Sequence, residues 1–229
     1  MKGVYYLRWL YHEGRFQCGQ SPTLFPMWNR FLDPPRRRKN LARPDKPDLV
    51  MEGFGGSANS FAWWALRSVN PEPRIGHHLH VPANVLLAVR YQIPCIVIIR
   101  PPQDSVVSLF SRGYIPSIRQ GLRHYCGFHR AIQPVMDQIC ITTFDAVTQD
   151  MGKVIEKCNS RLGTNLIPFH HNKSNELACR QKIRPSSQPN QEREIKKHLA
   201  MEQLHANATT RRHLEIAEKL YQDLSKNAE

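Results

Sequence analysis

The chain has 229 residues, enough for one α/β domain with a sizeable core, and its 41% hydrophobic content excludes global disorder. A formal charge of +13 marks anions as partners without choosing among a multiply charged co-substrate, an acidic acceptor, lipid headgroups and nucleic acid. Six cysteines with no paired spacing exclude a disulfide framework and fit reduced thiols in the cytoplasm.

The chain opens on an apolar-aromatic patch, Tyr5, Tyr6, Leu7, Trp9, Leu10 and Tyr11, broken by Arg8 and followed by Glu13 and Arg15. It is too short and polar for a membrane span and lacks the apolar core and cleavage site of a secretory signal, so a docked helix or strand is expected. From Asp33 to Lys46 the run Arg36-Arg37-Arg38-Lys39, Arg43 and nearby prolines read as a mobile basic linker. Residues 1–47 are thus taken as an N-terminal extension and linker, and residues 48–229 as a single domain.

Leu49, Val50 and Met51 read as a buried strand, and Ala62, Leu66 and Val69 as one face of a following helix. Between them runs Glu52-Gly53-Phe54-Gly55-Gly56-Ser57-Ala58-Asn59-Ser60-Phe61. Its glycines let an anion approach the main chain, while the first N–H groups and dipole of the helix point at it. Ser57, Asn59 and Ser60 can add side-chain donors. On the segment alone, a glycine-rich turn with Ser57 or Asn59 as helix cap accounts for the pattern as well. The Gly-Lys-Ser/Thr ending of a Walker A loop is missing, which disfavours an ordinary ATPase or kinase.

Gly76-His77-His78-Leu79-His80-Val81-Pro82 ends another strand and leads into a helix from Ala83 to Arg90. Three histidines in four positions invite a zinc reading. No Cys-x-x-Cys, His-Glu-x-x-His or carboxylate spacing completes such a site, so no metal is expected. Pro94-Cys95-Ile96-Val97-Ile98-Ile99 is a β-branched run of the kind buried on both faces of a parallel sheet. Arg100 ends it, and Pro101 to Asp104 turn into a helix that carries Ser108 two turns beyond the arginine. A fixed cation and a hydroxyl at the carboxyl end of a buried strand can converge on one anion.

Ile139 to Asp145 reads as a fourth parallel strand, followed by a helix from about Met151 to Leu162 that stops at Gly163. Arg180, Lys182 and Arg184 then precede a Pro185-to-Pro189 linker. Two helices close the chain, the second with an apolar stripe of Leu214, Ala217, Leu220, Tyr221 and Leu224. The pattern predicts an α/β fold: a P-loop-like parallel sheet flanked by helices on both faces, with C-terminal helices. Nothing in it sets the oligomeric state, and no nucleic-acid-binding motif accompanies the basic cluster.

The segment Arg100 to Ser108 resembles the 3′-phosphate-binding segment of the sulfotransferase family, in which an arginine and a serine at this spacing hold the 3′-phosphate of 3′-phosphoadenosine 5′-phosphosulfate. Gly53 to Phe61 resembles that family's 5′-phosphosulfate loop, usually Tyr/Phe-Pro-Lys/Arg-Ser-Gly-Thr-Thr-Trp/Phe. Phe54, Ser57 and Phe61 match it, and Asn59 and Ser60 replace the threonines. The resemblance implies that Gly55, Gly56, Ser57, Ala58, Asn59, Ser60 and Phe61 hold the 5′-phosphosulfate and adenine end of the co-substrate. The histidine segment is similar to the family's Lys-Thr-His-Leu-Pro, with His80 in the place of the catalytic base and His78 in that of the lysine. In the family a C-terminal basic loop closes over the 3′-phosphate, a role that Arg180, Lys182 or Arg184 could fill; no motif fixes which, and Arg184 is the position taken here.

Two departures stand out. Gly56 replaces the lysine or arginine that neutralises the bridging oxygen, and Ala58 replaces a glycine. The implied activity is transfer of a sulfuryl group, without a metal, to a hydroxyl or amine of a small-molecule or carbohydrate acceptor. The alternative is a 3′-phosphoadenosine nucleotide-binding protein that lost turnover with the loop cation. The acceptor pocket is expected in the loops from Tyr114 to Arg130 and the C-terminal helices.

Overall fold

The computed structural model describes residues 2–183 and 190–228. The N-terminal segment forms α1 (Lys2–Gly19), α2 (Phe25–Phe31) and the single-turn α3 (Pro35–Arg38). Strands and helices then alternate as β1 (Leu49–Glu52), α4 (Asn59–Val69), β2 (Ile75–His77), α5 (Pro82–Arg90), β3 (Cys95–Ile99) and α6 (Pro102–Ser111). After α7 (Ile118–Ile132) come β4 (Cys140–Thr143), α8 (Phe144–Gln149) and α9 (Met151–Leu162). The remainder is α10 (Lys173–Gln181), α11 (Gln191–His205) and α12 (Ala208–Ser225).

Among the described residues one four-stranded sheet forms, in the order β2-β1-β3-β4, with every pair parallel. All residues of β1 and β3 are buried, and both strands read as apolar runs but for Glu52 at the end of β1. Their side chains alternate between two cores. Val50, Cys95, Val97 and Ile99 pack with residues of α5, α6, α7, α11 and α12. Leu49, Met51, Ile96 and Ile98 pack with Phe61, Ala62 and Leu66 of α4, Val154, Ile155 and Cys158 of α9, and Cys179 of α10. The helix after β1 therefore lies on one face of the sheet and the helix after β3 on the other. Adjacent strands whose exits diverge leave a crevice at their carboxyl ends.

Local signals fix several element ends. Gly163, at φ 64°, terminates α9 in the left-handed conformation, and Asn190 and Asn207 cap α11 and α12 by accepting from Arg193 N and Thr210 N. Leu214, Ala217, Leu220 and Leu224 of the terminal stripe are buried. All six cysteines are free thiols.

Three expectations need correction. The basic segment before β1 is anchored rather than mobile, because Leu41 and Ala42 enter the core and Ala42 N donates to Asn84 Oδ1 at 2.8 Å. Asp33 is buried there, accepting from Arg15 Nε at 3.3 Å and Asn29 Nδ2 at 3.0 Å. The fourth strand is shorter than Ile139 to Asp145: Phe144 and Asp145 begin α8, capped by Thr143, whose side chain accepts from Ala146 N. The stretch Tyr114 to Arg130 is not a variable loop, since most of it is α7, with Leu122, Tyr125 and Phe128 in the core.

Candidate functional site

The loop from Gly53 to Ala58 leaves β1 at the mouth of the crevice. A Cβ on Gly53 would lie 2.4 Å from Ile98 O, so only glycine lets the loop cross β3 this closely. Gly56 has φ +90°, and a Cβ there would lie 3.1 Å from Ser105 O. Ala58 ends the loop at φ 61° and opens α4 with no side-chain cap, so neither Ser57 nor Asn59 is the cap. Ser57 Oγ donates instead to Phe54 O at 2.8 Å and holds the turn.

Asn59 is 4% exposed, and neither atom of its side-chain amide has a hydrogen-bond partner among the described residues. The buried Ser105 Oγ is in the same condition. Buried polar atoms without partners cost about 1–3 kcal/mol each, a cost that an anionic or hydroxylic ligand would offset. The uncapped helix, the glycine cradle and these orphan groups fit a phosphate-bearing ligand. Phe61 is buried against Phe169 and His171, with Arg180 over its ring at 5.6 Å.

On the other strand, Arg100 is fixed from several sides. Its Nη1 donates to Gly56 O at 2.9 Å, its guanidinium lies 3.9 Å over the Phe144 ring, and its carbonyl accepts from Tyr125 Oη at 2.8 Å. Ser108 is met by a different cation, Arg112, at the end of α6. Arg112 Nη2 donates to Ser108 Oγ at 3.1 Å and its Nε donates to Ser108 O at 2.9 Å. The same Nη2 lies 3.5 Å from where a Cβ on Gly56 would sit. Burial, with Arg193 and Arg100 nearby, lowers the Arg112 guanidinium to about 10, so it stays charged at neutral pH. Arg100, just after β3, and Arg112, just after α6, thus flank the glycine loop, and Arg193 of α11 is near enough to act on both electrostatically. Arg112 was not picked out from the sequence, although it lies four residues beyond Ser108, one helical turn away. Arg184 lies outside the described residues.

The histidine segment is built on Glu52, the last residue of β1. Its buried carboxylate accepts from Leu79 N at 3.0 Å, His80 N at 2.9 Å and Asn84 Nδ2 at 2.9 Å. Burial pushes Glu52 up to about 7 against these three donors. Arg15 Nη2 donates to Leu79 O at 2.8 Å and fastens the same loop from α1.

His78 and His80 are held at φ 59° and 55°; with Ala58, they are three of the four non-glycine residues at positive φ among the described residues. Strained backbone gathered in one place is a mark of a functional site. His80 Nδ1 lies 2.9 Å from Gly53 O. A carbonyl can only accept, so Nδ1 carries the proton and Nε2 keeps its lone pair. Burial and His78 hold the His80 imidazole well below its ordinary value, hence neutral. His78 Nε2 lies 2.9 Å from Ser60 Oγ, and its Nδ1 faces His77 Nδ1. His77 stacks on Trp63 at 4.6 Å, and its partial burial, with His78 beside it, lowers it to about 3.

The chain matches no family model and no curated protein. A similar solved structure is the crystal structure of mouse sulfotransferase SULT7A1 complexed with PAP, at 11% identity and a TM-score of 0.48, covering 81% of this chain and 90% of that one. A likeness that distant does not assign the chain to a family.

Proposed function

We propose that the chain binds 3′-phosphoadenosine 5′-phosphosulfate in the crevice between β1 and β3 and transfers its sulfuryl group to a hydroxyl of a small-molecule or carbohydrate acceptor. The observation that carries this reading is the gathering around an uncapped glycine loop of Arg100, on the Gly56 carbonyl, of Ser108, held by Arg112, and of a neutral His80, on the Gly53 carbonyl, with Nε2 as its basic atom. In the proposed reaction Nε2 takes the proton of the acceptor hydroxyl as its oxygen attacks sulfur. The bond from sulfur to the bridging oxygen breaks, and adenosine 3′,5′-bisphosphate leaves with that electron pair. Arg100 and Ser108 bind the 3′-phosphate, while the loop amides, Asn59 and Ser60 bind the 5′ end. No sequence feature requires a metal in this scheme.

A second reading, a nucleotide-binding protein without turnover, is favoured by Gly56, since the loop itself carries no cation. Calorimetry with adenosine 3′,5′-bisphosphate, followed by bisphosphate release from the donor across an acceptor panel, tests both. Binding with turnover supports the transferase. Tight binding with silence across the panel supports the second reading, and no binding of either nucleotide overturns both.

A further inference from the structure

Of the fourteen exposed large apolar side chains among the described residues, eight lie between Tyr6 and Leu32, on and beside α1 and α2. On α1, Leu7 is 70% and Leu10 57% exposed, and on and beside α2, Met27 is 61%, Phe31 68% and Leu32 58% exposed. The two stripes meet where the half-exposed Tyr11 packs on Trp28, with ring centroids 5.7 Å apart. The positions Leu7, Leu10 and Tyr11 on α1, and Met27 and Phe31 on α2, have the helical spacing of one face. Soluble monomers seldom leave so large a contiguous apolar face in water.

The exposed charge of this segment has one sign. Arg8, Arg30, Arg36 and Lys39 are exposed, and the Arg30 guanidinium lies 5.5 Å over the Phe31 ring. From Tyr6 to Pro44 the chain carries only two acids, Glu13 and Asp33. Both are drawn inward: Asp33 is buried and paired with Arg15 and Arg37, and Glu13 is taken up by Gln120, Arg123 and His124. The result is an apolar surface whose own segment supplies exposed cations and no outward-facing acid. A second copy of the chain would set these cations against each other, so self-association through the face is disfavoured. A bilayer with anionic headgroups meets both requirements across the whole face, accepting Leu, Met and Phe into the acyl boundary and pairing arginines with phosphates.

We infer that α1 and α2 form a docking face for an anionic membrane surface, on which the protein lies without spanning. No helix among the described residues is long and apolar enough to cross a membrane. The inference does not depend on the proposed function.

Co-sedimentation of the full chain at physiological salt, with vesicles of phosphatidylcholine alone or with about one-third phosphatidylserine, tests it. Wild type should bind the mixed vesicles and not the neutral ones. The double variant Met27→Ser/Phe31→Ser, which keeps the charge, should lose about tenfold in partition, and so should Arg30→Glu/Arg36→Glu. Arg212→Glu/Lys219→Glu on α12 makes the same change in charge away from the face and should lose much less. Circular dichroism melts confirm that each variant folds.

Equal loss in the α12 control would reduce the effect to bulk charge and overturn the inference. Wild-type binding that the Met27/Phe31 variant retains would do the same. Failure of wild type to bind mixed vesicles overturns it as well. If such a non-binding wild type sediments as a dimer that Phe31→Ser dissociates, the face is a self-interface; if it instead captures an acidic peptide through the face, its partner is a protein.

Discussion

Single residues decide whether the crevice can do chemistry. His80 is the test case, because its Nδ1 proton is committed to the Gly53 carbonyl and its imidazole is held well below the ordinary 6.5. A group with a depressed folded value stays neutral while the unfolded chain takes up its proton near 6.5, so its contribution to stability falls as pH drops below that point. The matching kinetic expectation is that kcat/KM shows no acid limb in the ordinary imidazole range, only one at lower pH. If the proposed reaction holds, His80→Ala should abolish transfer yet leave bisphosphate affinity within about threefold, since in that scheme the base acts on the acceptor. A large loss of affinity in calorimetry would reassign His80 to nucleotide binding.

Arg112 is the companion case. It stands where a side chain on Gly56 would point, so its removal should cost about 1.5–3 kcal/mol of bisphosphate binding, the value of a charged hydrogen bond. Putting a lysine at residue 56 is the poorer experiment, because φ +90° and the nearby Ser105 O would strain any side chain there. Arg112→Ala binding the bisphosphate like wild type would remove Arg112 from the site.

At the scale of elements, Glu52 ties β1 to the loop that carries His80, and through Asn84 to the segment before β1, since Asn84 Nδ2 also donates to Asn40 O at 3.3 Å. A carboxyl raised from 4.5 to about 7 keeps its proton in the folded chain over a range where the unfolded chain has lost it. Stability therefore declines as pH rises from about 4.5 to about 7, by roughly 3 kcal/mol at most. Chemical denaturation across that window should show the decline in wild type and a flatter profile in Glu52→Gln. A decline of the same size in both would clear Glu52 of the effect.

The strands that carry the crevice were legible in the sequence because β1 and β3 are buried on both faces and so read as plain apolar runs. Arg100 and Ser108 were picked out by their spacing after a strand and His80 by the family resemblance, and their roles are those of the proposed reaction. Glu52 was not, since one acid after three apolar residues gives no hint of the two donors it will meet from a loop 27 and 28 residues on and the third from α5. The anchoring of Asp33 and Leu41 was hidden for the same reason: a run of arginines and prolines looks solvated until its long-range partners are in place.

For the whole molecule, the consequential feature is that the cations of the site come from parts of the chain far apart in sequence. Arg100 follows β3, Arg112 ends α6, and Arg193 lies in the first turn of α11; Arg100 and Arg193 both lower the charged form of Arg112. These guanidiniums repel one another in the free protein, an effect offset at Arg100 by Asp104 at 3.8 Å, and a bound multiply charged anion would relieve that repulsion. Adenosine 3′,5′-bisphosphate at a hundred times its Kd should thus stabilise the fold by about 2.7 kcal/mol, raising Tm by roughly 5–10 °C for a chain of this size. Arg193→Ala should cut the ligand-induced rise. Loss of an arginine serving only the packing of α11 on α6 would instead lower the ligand-free Tm and leave the increment intact. Thermal melts of wild type and Arg193→Ala, each with and without the bisphosphate, separate the two. The second pattern would dissolve the three-arginine cluster as a binding device and leave Arg100 and Arg112 to hold the nucleotide alone.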